Sequence, residues 1–188
     1  MMNKINYFSI VGFTALYVLT VFATAFLGFI HPVCWVELPV LAALLGGFSY
    51  LCVAARWQRF GAGTLLGLAF GLFLLATGEG GLQAFVIAAI AGLLSDVVRQ
   101  IVGNTSKKGV LLAYPILAVG VIGWILPLWT RTQWYHDGTV EEMGADYAEG
   151  LMTFAHWWMF WVVILSTIII GYIGIRLAIT WMKDTGLK

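Results

Sequence analysis

An all-α integral membrane bundle of six transmembrane helices is the fold class this sequence predicts, and three observations predict it. Hydrophobic residues fill 61% of the 188 positions and charged residues 10%, with a mean hydropathy of +0.93. A soluble domain needs a polar coat, whereas a chain in lipid is apolar both inside its bundle and on its outer face. Six stretches are long enough to cross a hydrocarbon layer about 30 Å thick, which takes about 20 apolar residues per helix because each span must satisfy its own backbone polar groups. The basic residues fall at alternate ends of those stretches. One membrane domain, residues 1–188, accounts for the whole length.

The first span runs from Ile5 to Ile30 without a charge. Lys4 before it and Ala23-Thr24-Ala25 within it imitate a secretory cleavage signal, but a signal core holds about 7–15 apolar residues, so the length predicts a retained helix. The second span covers Leu38 to Ala55 and the third Phe60 to Thr77. The fourth covers Leu82 to Ile101, with Asp96 and Arg99 in its last turns; the fifth covers Val110 to Thr130 and the sixth Phe154 to Met182. Lys4, Arg56, Arg59, Arg99, Lys107, Lys108, Arg176, Lys183 and Lys188 gather at one end of the spans, and Arg131 alone falls at the other. The positive-inside rule then puts both termini in the cytoplasm, N-in and C-in. Glu37, Glu79, Asp137, Glu141, Glu142, Asp146 and Glu149 lie at the opposite, external end, while Asp96 and Asp184 share the basic one.

Gly63, Gly67 and Gly71 repeat every four residues on one face of the third span, which lets a neighbouring helix come close. Ala42 with Gly46, Ala43 with Gly47, and Ala88 with Gly92 offer further small pairs. Asp96 and Arg99, three apart on one helix, are expected to pair with each other. A proton relay through them would need further ionisable residues at mid-membrane depth, and the spans supply none. Cys34 and Cys52 lack the spacing of a metal or redox site, and a net charge of +1 leaves no basic surplus for nucleic acid.

Chemistry-bearing residues gather at the external end. Thr139-Val140-Glu141-Glu142 reads as a capping box, so a helix is expected to start there. Val140, Met143, Tyr147, Leu151 and Phe154 then recur at spacings of three and four, an apolar stripe opposite Glu141, Asp146 and Glu149. Gly144 and Gly150 weaken such a helix by about 1 kcal/mol each, which suits a segment that moves. The aromatic residues at this level fit an interfacial belt, and some of their flat faces suit a planar ligand. His31, His136 and His156 all lie near this face, though without the spacing of a metal motif. Glu79 sits in the tight Gly78-Glu79-Gly80-Gly81 turn, where it faces either a ligand or solvent. The expected ligand contacts are Glu79, Trp134, Tyr135, His136, Tyr147, His31, Trp35, His156 and Trp129. No phosphate-binding loop and no nucleophile with its base appears in the spans, so neither an enzyme nor a bound cofactor or metal is expected.

Several segments together resemble the substrate-binding S components of energy-coupling factor (ECF) transporters, and within them the Trep_Strep, MptD-like group. They are the first external loop with Pro32 and Pro39, Ala43-Leu44-Leu45-Gly46-Gly47 leading to Arg56, the Gly78-Glu79-Gly80 turn, Ala113-Tyr114-Pro115, Met143-Gly144-Ala145-Asp146-Tyr147 and the basic tail. The resemblance implies a multi-pass subunit of the bacterial cytoplasmic membrane that captures a small nutrient under external loops. It implies docking on a membrane coupling subunit driven by two cytosolic ATPases, with Ala15, Ala23 and Ala25 of the first span as the contact. The aromatic residues and histidines favour a planar cargo, vitamin-like or a tetrapyrrole such as haem. A structural or assembly protein is the alternative, and a membrane-embedded enzyme a further one.

Overall fold

The computed structural model describes residues 7–182, 186 and 187. Ile5, Asn6, Lys4, Lys183, Asp184 and Lys188, which figure in the predicted first span and in the charge pattern, lie outside the described residues. Every regular element among the described residues is helical. Helix α1 (Tyr7–Ala25) ends in a 3-10 turn over Phe26–Phe29, and the short α2 (Pro32–Val36) leads into α3 (Leu38–Arg56). Next come α4 (Ala62–Thr77), α5 (Gly81–Val102) and α6 (Lys107–Val119). Two single turns, α7 (Ile122–Ile125) and α8 (Pro127–Thr130), precede α9 (Thr132–Met143), α10 (Ala145–Met152) and the long α11 (Trp157–Trp181).

Among the described residues five helical stretches are long and apolar enough to cross a membrane: Tyr7–Phe29, Leu38–Arg56, Gly81–Val102, Lys107–Ile125 and Trp157–Trp181. The third predicted span is shorter than the rest. At 1.5 Å per residue the 16 residues of α4 reach about 24 Å, less than a typical hydrocarbon core. The fifth predicted span is also not one helix. Around Gly120 the backbone bonds tighten from i−4 to i−3, with Gly120 N donating to Leu117 O (2.9 Å) and Val121 N to Ala118 O (3.1 Å). Pro127, which lacks an N–H, opens α8 at the next break.

α3 is the central helix, contacting α1, α6 and α11, while α4 packs on α5 and α5 on α6. The share of each apolar window buried within the protein separates inner from outer helices: 67% for α3 and 72% for the α6–α7 segment, against 33% for α5 and for α11. The exposed Leu, Ile and Val side chains of the outer helices face lipid. Glycine and alanine set the close contacts. A Cβ at Gly67 would overlap the Ala88 carbonyl oxygen, and one at Gly63 would stand 2.7 Å from Gly92 O, so the predicted stripe on α4 is buried against Ala88 and Gly92 of α5 in the same chain. Gly47 and Gly174 bring α3 and α11 together in the same way, a Cβ at Gly47 lying 2.9 Å from Ile175 N. Three tyrosines fill the space beside this contact. Tyr17, Tyr50 and Tyr114 are fully buried; Tyr114 Oη donates to Ala43 O (2.8 Å), and the Tyr50 and Tyr114 rings lie 5.2 Å apart.

Asp96 and Arg99 are both fully buried, but they do not pair with each other as their spacing predicts. The Asp96 carboxylate accepts from Gly63 N (2.9 Å), Thr64 N (2.7 Å) and Thr64 Oγ1 (2.7 Å), the free donors in the first turn of α4. α4 has no cap of its own, because Gly61, at φ 116°, carries no side chain. Arg99 turns the other way: Nη2 donates to Ala54 O (2.6 Å), Trp57 O (3.0 Å) and Asn104 O (2.8 Å), and Nη1 to Arg59 O (3.4 Å). Those carbonyls belong to the last turn of α3, to the loop that follows it and, for Asn104, to the connection between α5 and α6. Spacing alone brings two such side chains within reach; the unsatisfied helix ends beside them outcompete the pair, since each offers several donors or acceptors in an apolar setting.

Three variants test these contacts. Asp96→Ala leaves the buried Gly63 N–H and the part-buried Thr64 N–H and hydroxyl without their acceptor, with an expected loss of about 3 kcal/mol, measured as a lower thermal midpoint in detergent; an unchanged midpoint would show that the cap carries no weight. Gly67→Leu is expected to destabilise by about 3 kcal/mol or to prevent folding, whereas Gly12→Leu, where an added Cβ meets nothing within 4 Å, leaves the midpoint near wild type.

Candidate functional site

The acidic end of the bundle carries the densest grouping of aromatic and hydrogen-bonding side chains. Its floor is an aromatic cluster. Trp124, delivered by the turn at α7, stacks on Phe22 with centroids 6.0 Å apart and planes 6° from parallel, and meets Phe70 (6.1 Å) and Trp35 (6.0 Å) edge-on. Phe22 also touches Phe73 at 5.1 Å. Each such pair adds about 0.5–1.5 kcal/mol beyond its buried area.

α9 and α10 meet this cluster at Trp35, and two bonds between residues far apart in sequence tie them to α2 and to the 3-10 turn before it. Trp35 Nε1 donates to Tyr135 Oη at 2.6 Å, and Tyr147 Oη donates to Gly28 O at 2.5 Å. Gly28 has no room for a Cβ, because the Trp35 ring lies directly against it. Burial pushes the Tyr135 hydroxyl well above the ordinary phenol range; the Trp35 N–H opposes that shift, while Tyr147, Glu142 and Glu79 add to it more weakly. Burial likewise pushes Tyr147 up to about 12. Both phenols therefore stay neutral at physiological pH.

The helix that meets this cluster does not begin at the predicted capping box. α9 starts at Thr132, seven residues earlier, and Thr139 lies inside it, its hydroxyl donating back to Tyr135 O (2.8 Å) rather than receiving the Glu142 amide. The predicted apolar stripe is split at Gly144, whose φ of 90° ends α9 and starts α10. Leu151 is nonetheless buried, and Val140, Met143, Tyr147 and Phe154 are half-buried, so both segments keep that face toward the bundle.

The structure brings Trp35, Tyr135 and Tyr147 together, with Glu79 exposed in the nearby α4–α5 turn. The other expected contacts have separate duties. Trp129 is buried, donating from Nε1 to Phe154 O (3.1 Å) and packing on Phe160. Trp134 is exposed beneath the Arg131 guanidinium, 4.9 Å from its ring centroid, and Arg131 also reaches Gln83 Oε1 (3.2 Å). His31 caps α2, its Nδ1 accepting from Val33 N (3.2 Å). His136 meets Asp137 Oδ1 at 3.1 Å, a contact that with the Gln133 amide draws the Asp137 carboxyl below its usual range. His156 is exposed at the start of α11. Among the described residues no three His, Cys, Asp or Glu side chains converge as a metal site. On α1, Ala15 and Ala23 are exposed but Ala25 is buried, so the expected docking face contracts to the first two.

Phe22, Phe70 and Phe73 lie in stretches that the sequence marks as span interior, and no local signal distinguishes an aromatic side chain near the end of a bundle from one in its core; Trp124 is one of the aromatic residues that the sequence places at the external level. Glu37 counts in the sequence as an external charge. It lies half-buried between α2 and α3, where burial raises its carboxyl pKa.

A family of hypothetical bacterial integral membrane proteins, Trep_Strep, matches this sequence over residues 6–183. The chain belongs to that family. Membrane integration of Trep_Strep proteins accords with the five long apolar helices and with the lipid-facing surfaces of α5 and α11. No curated protein and no solved structure matches the chain.

Tyr135→Phe and Tyr147→Phe are each expected to cost about 1 kcal/mol of local stability, seen as faster amide exchange over residues 132–152 with the five long helices unaffected. The neutral Tyr147 contribution is complete below the ordinary phenol value of 10.0 and is lost as pH rises toward about 12. The difference in phenolate absorbance between wild type and Tyr147→Phe should therefore show a group titrating near pH 12; titration at an ordinary phenol value would mean that the Tyr147 hydroxyl is not buried.

Proposed function

We propose that this chain is the substrate-binding membrane subunit of an ECF-type importer, taking up a small planar or aromatic nutrient, vitamin-like or a tetrapyrrole, at its acidic end. The observation that carries this is the two-part cover: α9 and α10, jointed at Gly144, are held by two hydrogen bonds against Gly28 and Trp35, and the Trp35 ring packs in turn on the aromatic cluster around Trp124. A net hydrogen bond contributes about 1 kcal/mol, so a ligand that stacks on Trp35 or Trp124 gains enough to replace both ties. Tyr135, Tyr147 and Glu79 then supply the polar contacts that orient it.

In this proposal the chain crosses the bacterial cytoplasmic membrane six times with both termini inside. The short α4 serves as the sixth span, and the bilayer thins locally beside it. The exposed Ala15 and Ala23 of α1 dock on a coupling subunit, and two cytosolic ATPases supply the energy. The chain itself carries no catalytic step and no resident cofactor; its work is capture and release. A structural role without cargo is the second reading, favoured by the fact that Trp35, Tyr135 and Tyr147 satisfy one another and Gly28 without any ligand.

Native mass spectrometry of the protein purified gently from its source membrane tests the proposal. A retained planar small molecule, together with a coupling subunit and ATPases, is the expected result, and Trp35→Ala with Trp124→Ala should release the molecule while the assembly persists. Protein free of any small molecule that also fails to assemble with ATPases would overturn it in favour of the structural reading.

A further inference from the structure

α5, α6 and α11 enclose an open groove of about 740 Å³ on the flank of the bundle, away from the aromatic cover. It exists because α6 is short and inner while α5 and α11 stand outside it as walls. Leu112, Pro115 and Ile116 form part of the floor, with Leu94 on one wall and Ile169 and Ile173 on the other. Every lining residue has a hydrocarbon side chain except Tyr172, which adds a hydroxyl.

The charge at one end of the groove identifies its occupant. Lys107 and Lys108 open α6, one turn before Leu111 and Leu112, so they lie on the face of α6 that forms the floor. Arg176 follows Tyr172 by four residues and Ile173 by three, which places it on the face of α11 that forms the wall. All three are exposed, and among the described residues none has an acidic partner. An apolar trough ending in three unpaired cations on two helices complements an amphiphile with a long apolar body and an anionic head. A partner transmembrane helix would fill the trough without needing the cations, and a zwitterionic lipid would gain little from them.

We infer that this groove is a binding site for an anionic phospholipid, its acyl chain lying along α6 and its phosphate held by Lys107, Lys108 and Arg176. Long Lys and Arg side chains reach outward to headgroup level from helix ends, and basic pockets between transmembrane helices recognise anionic headgroups. The Tyr172 hydroxyl stands one turn below Arg176, within the depth of the glycerol esters. Neither the cargo nor the partner subunits of the importer enter into this inference.

The test is native mass spectrometry of the detergent-purified protein titrated with phosphatidylglycerol and, separately, phosphatidylcholine of the same chain length. Phosphatidylglycerol is expected to be retained about tenfold or more over phosphatidylcholine. The triple variant K107Q/K108Q/R176Q should bring the two lipids to equal retention. Ile168→Trp, which fills the groove from a half-exposed position, should reduce retention of both with thermal stability unchanged. Equal retention by the wild type, or a preference that survives the triple variant, would overturn the inference. So would stoichiometric recovery of another membrane protein cross-linked through residue 112, since a helix would then occupy the trough.

Discussion

The bundle depends on how it closes the helix ends that face its apolar interior. A helix leaves four amides and four carbonyls without partners, and in lipid no water is at hand to satisfy them. At the basic end one helix solves this for two others: Asp96 of α5 caps the start of α4, and Arg99 of the same helix collects carbonyls from the end of α3 and the loops around it. The five residues between α3 and α4 are thereby held from one side. With that connection fixed, the glycines of α4 lie against Ala88 and Gly92, the registry of α4 on α5 follows, and α3 keeps its place at the centre. Two charges buried side by side would be costly if they merely faced each other; they are tolerated because Asp96 accepts several hydrogen bonds from the start of α4 and Arg99 donates several to carbonyls around the end of α3.

The acidic end is built on a different scale of energy. There the cover is tied by one indole N–H and one phenol, each an ordinary neutral hydrogen bond, and its two helices meet at a glycine with positive φ. Local opening takes far less free energy than unfolding the charged caps at the other end. The two ends thus differ in the strength of what ties them. Under the proposed function that division suits capture, because the element that admits a ligand must come from the least stable part of the fold.

Much of this architecture was legible in the sequence, and the gaps have physical causes. Span positions were readable because apolar length is a direct consequence of bilayer thickness, and the helices bounded by Leu38, Gly81 and Trp157 begin within a few residues of where charge and turn residues place them. The Gly63-Gly67-Gly71 stripe was readable for the same reason: close helix approach has few other solutions. What failed were features decided by neighbours remote in sequence. The Asp96–Arg99 spacing fits a pair equally well whether or not a helix end lies beside it. Thr139 and Glu142 have the spacing of a capping box, but α9 had already begun at Thr132, and a threonine inside a helix bonds back to its own preceding turn. The site was legible in part: Trp35, Tyr135 and Tyr147 come together through bonds spanning about a hundred residues, whereas the histidines share only an end of the bundle.

The irregular path after α6 links the two candidate sites. α6 ends at Gly120, where the chain tightens, and Gly120 lets it approach α5 so closely that a Cβ there would stand 2.8 Å from Ala91 Cβ. Beyond the turn, α7 carries Trp124 inward to meet Phe22, Phe70 and Trp35; before it, the same short helix lies recessed between α5 and α11 and becomes the floor of the groove. A straight helix through this region would satisfy the hydropathy of residues 110–130 equally well, but it would point Trp124 elsewhere and leave no aromatic floor. The break is therefore the feature on which both surfaces depend.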